Sequence, residues 1–109
     1  MGDSRRRDQS TAALAINKTI SPACPFGSVQ LKVHLNAVGG AGNLTVTVDA
    51  NAGAAYDVVL LTQDMTLVTD LLWVPPDRLE FQEGDKLVVA WANAGGKTYG
   101  LEVSWKQVH

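Results

Sequence analysis

Cysteine is nearly absent from this chain of 109 residues: Cys24 stands alone. An intramolecular disulfide is therefore impossible, and a lone thiol cannot build a structural zinc site. Histidine is equally scarce, and the two that occur, His34 and His109, lie far apart in the chain. There is no excess of basic residues, because the formal net charge is −2. A bulk positive field that would draw the body to nucleic acid is thus excluded. No apolar run approaches the roughly 20 residues that cross a bilayer as a helix. The start, MGDSRRRDQS, has no apolar stretch behind its charges, so it does not read as a secretory leader. Position 6 is Arg rather than Ser or Thr, and the myristoylation pattern fails. These absences give an expectation of folding in a cytoplasm. The sequons Asn17-Lys18-Thr19 and Asn43-Leu44-Thr45 then carry little meaning.

Helical periodicity is also missing. What is present is alternation. Val29, Leu31, Val33 and Leu35 alternate with Gln30, Lys32, His34 and Asn36; Leu44, Val46 and Val48 alternate with Thr45, Thr47 and Asp49. A period of two marks a strand with one face in a core and one toward water. Residues 79–105, LEFQEGDKLVVAWANAGGKTYGLEVSW, read as three antiparallel strands in a closing meander. Glu83-Gly84-Asp85 and Asn93-Ala94-Gly95-Gly96 supply its turns, since Gly reaches positive φ at little steric cost. Residues 11–20 read as a first strand with Leu14 and Ile16 on one face. Residues 21–27 hold two prolines, which remove ladder donors, and form a loop. Residues 56–62, YDVVLLT, are apolar on both parities after Asp57, as in a strand buried on both faces or one whose outer face meets another subunit. Residues 63–70 stay unassigned, and residues 71–74 form a short strand stopped by Pro75-Pro76.

About eight strands with Gly, Pro, Asn and Asp turns call for an all-β fold. A single-domain antiparallel β-sandwich, jelly-roll-like, is the first choice. Residues 1–10 have nothing to bury and form a flexible N-terminal arm; residues 11–109 form the sandwich domain. The arm carries Arg5, Arg6 and Arg7, whose forked donors suit carboxylates or phosphates. The remaining body holds nine acidic and six basic residues, so arm and body differ in sign.

No catalytic constellation is present, and the chain is not expected to be an enzyme. Gly39-Gly40-Ala41-Gly42-Asn43 lacks the Lys-Ser/Thr of a phosphate-binding loop. Asp64 and Asp70 lack calcium-loop spacing. Asp77, Glu80, Glu83 and Asp85 flank a turn, where acids are ordinarily solvated. No nucleophile elbow occurs. No cofactor and no metal are implied. Trp91, Tyr99 and Trp105 fall at inward positions, whereas Trp73, just before two prolines, is the tryptophan most open to a sugar or a protein partner.

The segments YDVVLLTQDM and DLLWVPPDRLEFQEGDKLVVAWANAGGKTYGLEVSW carry a resemblance. Over about residues 44–106 the chain resembles small auxiliary virion proteins of tailed bacteriophages. The shared run is a YDVVLL strand, an LW-P segment, an acidic EGD turn and a closing TYGLEV-W strand. The resemblance implies a β-sandwich on the outside of a capsid, acting as cement, staple or decoration. It implies binding to the major capsid protein, a homo-oligomer (dimer or trimer) on the shell, and location in the virion. Neither nucleic acid nor membrane is implied as partner. The Arg5–Arg7 segment would be the arm that reaches a neighbouring subunit. A second reading is a module of a tail or head fibre that binds carbohydrate or receptor through Trp73.

Overall fold

The computed structural model describes residues 3–75 and 79–108. Nine strands occur among them: β1 (Asp3–Ala12), β2 (Ile16–Ile20), β3 (Phe26–Leu35), β4 (Asn43–Asp49), β5 (Val58–Asp64), β6 (Asp70–Trp73), β7 (Glu80–Phe81), β8 (Lys86–Trp91) and β9 (Tyr99–Val108). A single 3-10 turn at Ala54–Tyr56 is the one helical element among the described residues. The strands form two antiparallel sheets. One runs β1-β9-β3-β6, with β7 also on β3; the other runs β2-β8-β4-β5. Most consecutive strands lie in different sheets, which is the winding of a jelly roll. The fold is a single-domain all-β sandwich.

Both sheets owe their form to alternation. From β2, β8 and β4 come Ile16, Ile20, Leu87, Val89, Trp91, Leu44, Val46 and Val48; from β3 and β9 come Leu31, Val33, Leu35, Tyr99, Leu101 and Val103, all buried. Burial of such side chains yields about 1.5–3 kcal/mol each before entropy is charged against it. Phe26 stacks on Phe81 with ring centroids 4.9 Å apart, closing one end of the core. Between Gly27 and Gln30 the register with β9 shifts, and Ser28 takes φ 48°. This bulge brings both Phe26 and Val29 inward, so β3 begins earlier than the strict alternation from Val29 indicates.

Three expectations need correction. The expected flexible arm over residues 1–10 is overturned from residue 3 on: Asp3–Ala12 is a strand, paired residue for residue with β9 from Asp3↔Val108 to Ala12↔Tyr99, and residues 1–2 lie outside the described residues. An edge strand needs a ladder of backbone hydrogen bonds, not buried side chains, so a charged segment can still be a strand. Residues 11–20 are not one strand, because Ala13–Ala15 break it. Leu14 is 77% exposed while Ile16 is buried, so the two do not share a face. Residues 79–105 are not a meander either. β8 pairs with β2 and β4, whereas β7 and β9 pair with β3 in the opposite sheet. The turns at residues 82–85 and 92–98 cross the sandwich instead of closing hairpins.

The unassigned residues 63–70 resolve into the end of β5, a tight turn and the start of β6. Met65 in that turn is fully buried. A Cβ on Gly39 would lie 2.3 Å from the Met65 carbonyl oxygen, so only glycine lets these two loops approach. They are joined by Gly39 N–H to Val68 O and by Leu67 N–H to Gly39 O.

Candidate functional site

The outer face of the five-stranded sheet brings together charges that the sequence scatters: Arg5, Arg7, Lys32, Asp70, Glu102 and Lys106. Register sets this. Arg5 lies opposite Lys106, Arg7 opposite Ser104 and Gln9 opposite Glu102; across β9, Glu102 faces Lys32 and Gly100 faces His34; across β3, His34 faces Asp70. Each of these residues has the outward parity of its strand.

Glu102 is the hub. Its Oε1 accepts from Gln9 Nε2 at 2.8 Å and lies 3.5 Å from Arg7 Nε, and its Oε2 lies 3.3 Å from Lys32 Nζ. Hydrogen bonding from Gln9 first, then Lys32 and the charge of Arg7, hold the Glu102 carboxyl below its ordinary range. Arg5 spans two strands: Nη1 donates to the Ser28 carbonyl and Nη2 to Ser104 Oγ, each at 2.9 Å. The bulge at Ser28 is what turns that carbonyl toward the guanidinium. Arg6, on the opposite parity, donates from Nε to Gln107 Oε1 at 2.7 Å. On the far side, His34 Nδ1 and Asp70 Oδ1 pair at 2.5 Å, and this hydrogen bond lowers the Asp70 carboxyl.

Gly100 leaves a dip among these groups. A Cβ there would meet nothing within 4 Å. The shallow depression has a volume of about 640 Å³ and is lined by Gln9, Thr11, Lys32, His34, Leu72 and Glu102 among others. It offers hydrogen-bonding groups and one exposed apolar side chain, Leu72.

The structure brings Arg5, Arg6 and Arg7 onto one strand and separates them from Trp73. Trp73 is half-buried, stands opposite Leu31 and packs against the core. The exposed aromatic is instead Tyr56, at 64%. It precedes Val58 and Val59, both more than half exposed, at the edge of the four-stranded sheet. A groove of about 530 Å³ runs beside them, with Val48, Leu60, Leu79 and Phe81 in its walls. Sequence reasoning placed His34 on the wet face but did not join it to Asp70, nor Glu102 to Lys32. Only cross-strand register reveals those pairs.

The other candidates have local roles. Asp64 Oδ1 accepts from Thr66 N–H, and that bond lowers its carboxyl. Asp85 accepts from Asn51 N–H and Gln82 N–H, closing two turns at once. Cys24 is half-buried, and its sulfur accepts from Gln107 Nε2 at 3.0 Å. Asp77 lies outside the described residues. Among the described residues, no cluster of three or more His, Cys, Asp or Glu side chains is placed to hold a metal ion. Nor is any helix long and apolar enough to cross a membrane.

No protein-family model matches the chain, and no curated protein matches it. Among solved structures it is similar to a chain from Bacillus endospore appendages, described as a novel family of disulfide-linked pili. That match covers 99% of this chain and 91% of the other, at 11% identity and a TM-score of 0.39. At those values nothing about the appendage chain carries over to this one.

Proposed function

We propose that the protein is a structural component of a phage virion, binding the outside of the capsid shell as a cement or decoration protein. The observation that carries this reading is the presentation of Arg5 and Arg7 on one face of a fixed edge strand, with Lys106 opposite Arg5, Lys32 on the same face beyond Glu102, and Arg6 on the strand's other face, in a chain of net charge −2. A basic strip on an acidic body selects an acidic surface and repels copies of itself. Docking of this kind needs a stiff scaffold and no chemistry. The resemblance of residues 44–106 to auxiliary virion proteins supplies the partner class, the major capsid protein. Many equivalent sites on one shell let individually weak contacts act together. Each site should bury on the order of 1,000 Å² to outlast a casual contact.

Cosedimentation with purified particles tests the reading. A stoichiometry fixed by the number of capsomers supports it, and absence from purified virions ends it. Replacing Arg5, Arg6 and Arg7 by Gln should release the protein from particles, with amide exchange confirming that β1 stays paired with β9. In the fibre-module alternative, the polar depression over Gly100 is the better place for a sugar than Trp73, which the core holds. Saturable binding on a glycan array that a Lys32→Ala change removes would favour that alternative.

A further inference from the structure

We propose that β1 of one copy docks edge to edge on β5 of a second copy, extending a sheet from one molecule into the next.

Among the described residues the sandwich has four open strand edges; two are guarded against any strand, and the third, β1, is closed by its charge only to a strand of like charge. β1 carries Arg5, Arg6, Arg7 and Asp8. β2 has five residues, with Lys18 at an inward-parity position and its Nζ 3.0 Å from Asp8 Oδ1 across the gap between sheets. β6 has four residues and begins at Asp70, and β7, on the same side of β3, has two. Short edges, edge charges and inward-pointing charges are the devices by which sheets avoid pairing with one another.

β5 lacks them. It has seven residues, and its first five, Val58-Val59-Leu60-Leu61-Thr62, contain neither charge nor proline. Val58 is 53% and Val59 57% exposed. Its one guard is a register shift opposite Val46 and Thr47, which leaves Leu60 without a register partner and the rest of the edge open. A strand of this composition, open on one side, has a row of backbone donors and acceptors with no chain to pair with.

Charge selects what covers it. Asp57 stands just before β5 and Asp64 ends it, with no basic residue between. Antiparallel pairing of β5 with its own copy would set the Asp57 end of each strand against the Asp64 end of the other, acid against acid. β1 has the opposite character. With β2 it carries Arg5, Arg6, Arg7 and Lys18 against Asp3 and Asp8. A second β1 is repelled by the same arginines that an acid-flanked strand attracts. β1 is also long enough, with ten residues against seven, to cover all of β5. The resulting contact is heterologous: each copy keeps one free β1 or β5, so the assembly grows until a ring closes or continues as a filament.

This proposal stands apart from the capsid reading, because it is measured on the pure protein without particles. The full chain is followed by sedimentation velocity across a wide concentration range at low and high salt. The weight-average mass should rise with concentration and fall on adding salt, since exposed charges beyond about 8 Å are screened at physiological ionic strength. Arg6→Glu with Arg7→Glu should weaken association at least about tenfold, and Asp57→Asn with Asp64→Asn, which keep hydrogen-bond acceptors for the Ala50 and Thr66 amides, should weaken it by a similar factor. Amide exchange should show β5 becoming protected as concentration rises. Mixing the Arg→Glu variant with an Asp64→Lys variant should restore heterotypic association. A monomeric mass up to about 1 mM, the weak end of measurable association, overturns the proposal. So does association that protects β5 but ignores the β1 substitutions, which would mean β5 pairs with β5.

Discussion

On the five-stranded sheet the outward side chains pair across strands in three groups: Arg5 with Ser104 and the Ser28 carbonyl; Gln9, Arg7 and Lys32 with Glu102; His34 with Asp70. On the four-stranded sheet the two central outward rows read Asn17, Ala90, Thr45, Thr62 and Thr19, Val88, Thr47, Val59. Those rows hold no charge. The inner faces of the two sheets are alike, built from the same aliphatic alternation. One pattern of burial thus supports two unlike surfaces, and the difference is made entirely by residues the core does not see. Threonine and valine outside stabilise a sheet by shape, because branched side chains fit a pleated surface. Charged rows do it by pairing across strands, at roughly 0.2–1 kcal/mol per pair. The first kind of face is indifferent to salt and pH. The second responds to both.

The largest expected effects lie where the two sheets meet and should not distinguish them. Leu31→Ala in the charged sheet and Leu87→Ala in the uncharged one each remove a side chain that is 1% exposed. Each should cost about 2–5 kcal/mol in urea unfolding. A cost near zero for one of them would show that the sheets do not share a single core.

Glycines sharpen the comparison next. Gly39→Ala forces a Cβ to within 2.3 Å of a backbone carbonyl at the loop end and should destabilise by about 1–3 kcal/mol. Gly100→Ala, in the middle of the charged face, meets open space and should stabilise by about 0.5–1 kcal/mol, because glycine is a poor strand residue. Both are read from thermal or denaturant midpoints. Destabilisation by Gly100→Ala would mean that the dip is closed in solution by something that a methyl group displaces.

The same contrast explains what could be read before the structure. Wherever burial dictates the residue, the sequence announces it: Val29, Leu31, Val33 and Leu35, or Leu87, Val89 and Trp91, are inward both by alternation and in fact. Where a strand is held by its backbone ladder and by polar pairs across strands, as in β1, side chains carry no such signal. Arg5, Arg6 and Arg7 therefore look like a loose leader although each is paired with β9. Sheet membership was hidden for a related reason. β8 and β9 are neighbours in sequence and alternate well, and nothing in alternation says that the turn between them crosses the sandwich. Met65 lies in a segment with no period, so its burial could not be anticipated. The charged face was invisible because Gln9, Lys32 and Glu102 are distant in sequence and meet only through register.

Acid gives the subtlest test of the two faces. Asp70 and Glu102 have carboxyls held below their ordinary range, by His34 in one case and chiefly by Gln9, with Lys32 and Arg7, in the other. A carboxyl that is more acidic folded than unfolded stabilises the fold above its unfolded pKa. That contribution is lost as pH falls through the folded value. Both groups sit on the charged face. Lowering the pH from neutral through the carboxylate range should therefore raise amide exchange in β1 and β6 before it does so in β4 and β8. Asp64 is lowered as well, by Thr66, so the turn after β5 should loosen in the same window. Glu102→Gln should remove the acid response of β1 and leave that of β6, where His34 and Asp70 remain. If β4 and β8 open together with β1 at every pH, the charged face has no separate electrostatic role, and the two faces differ only in appearance.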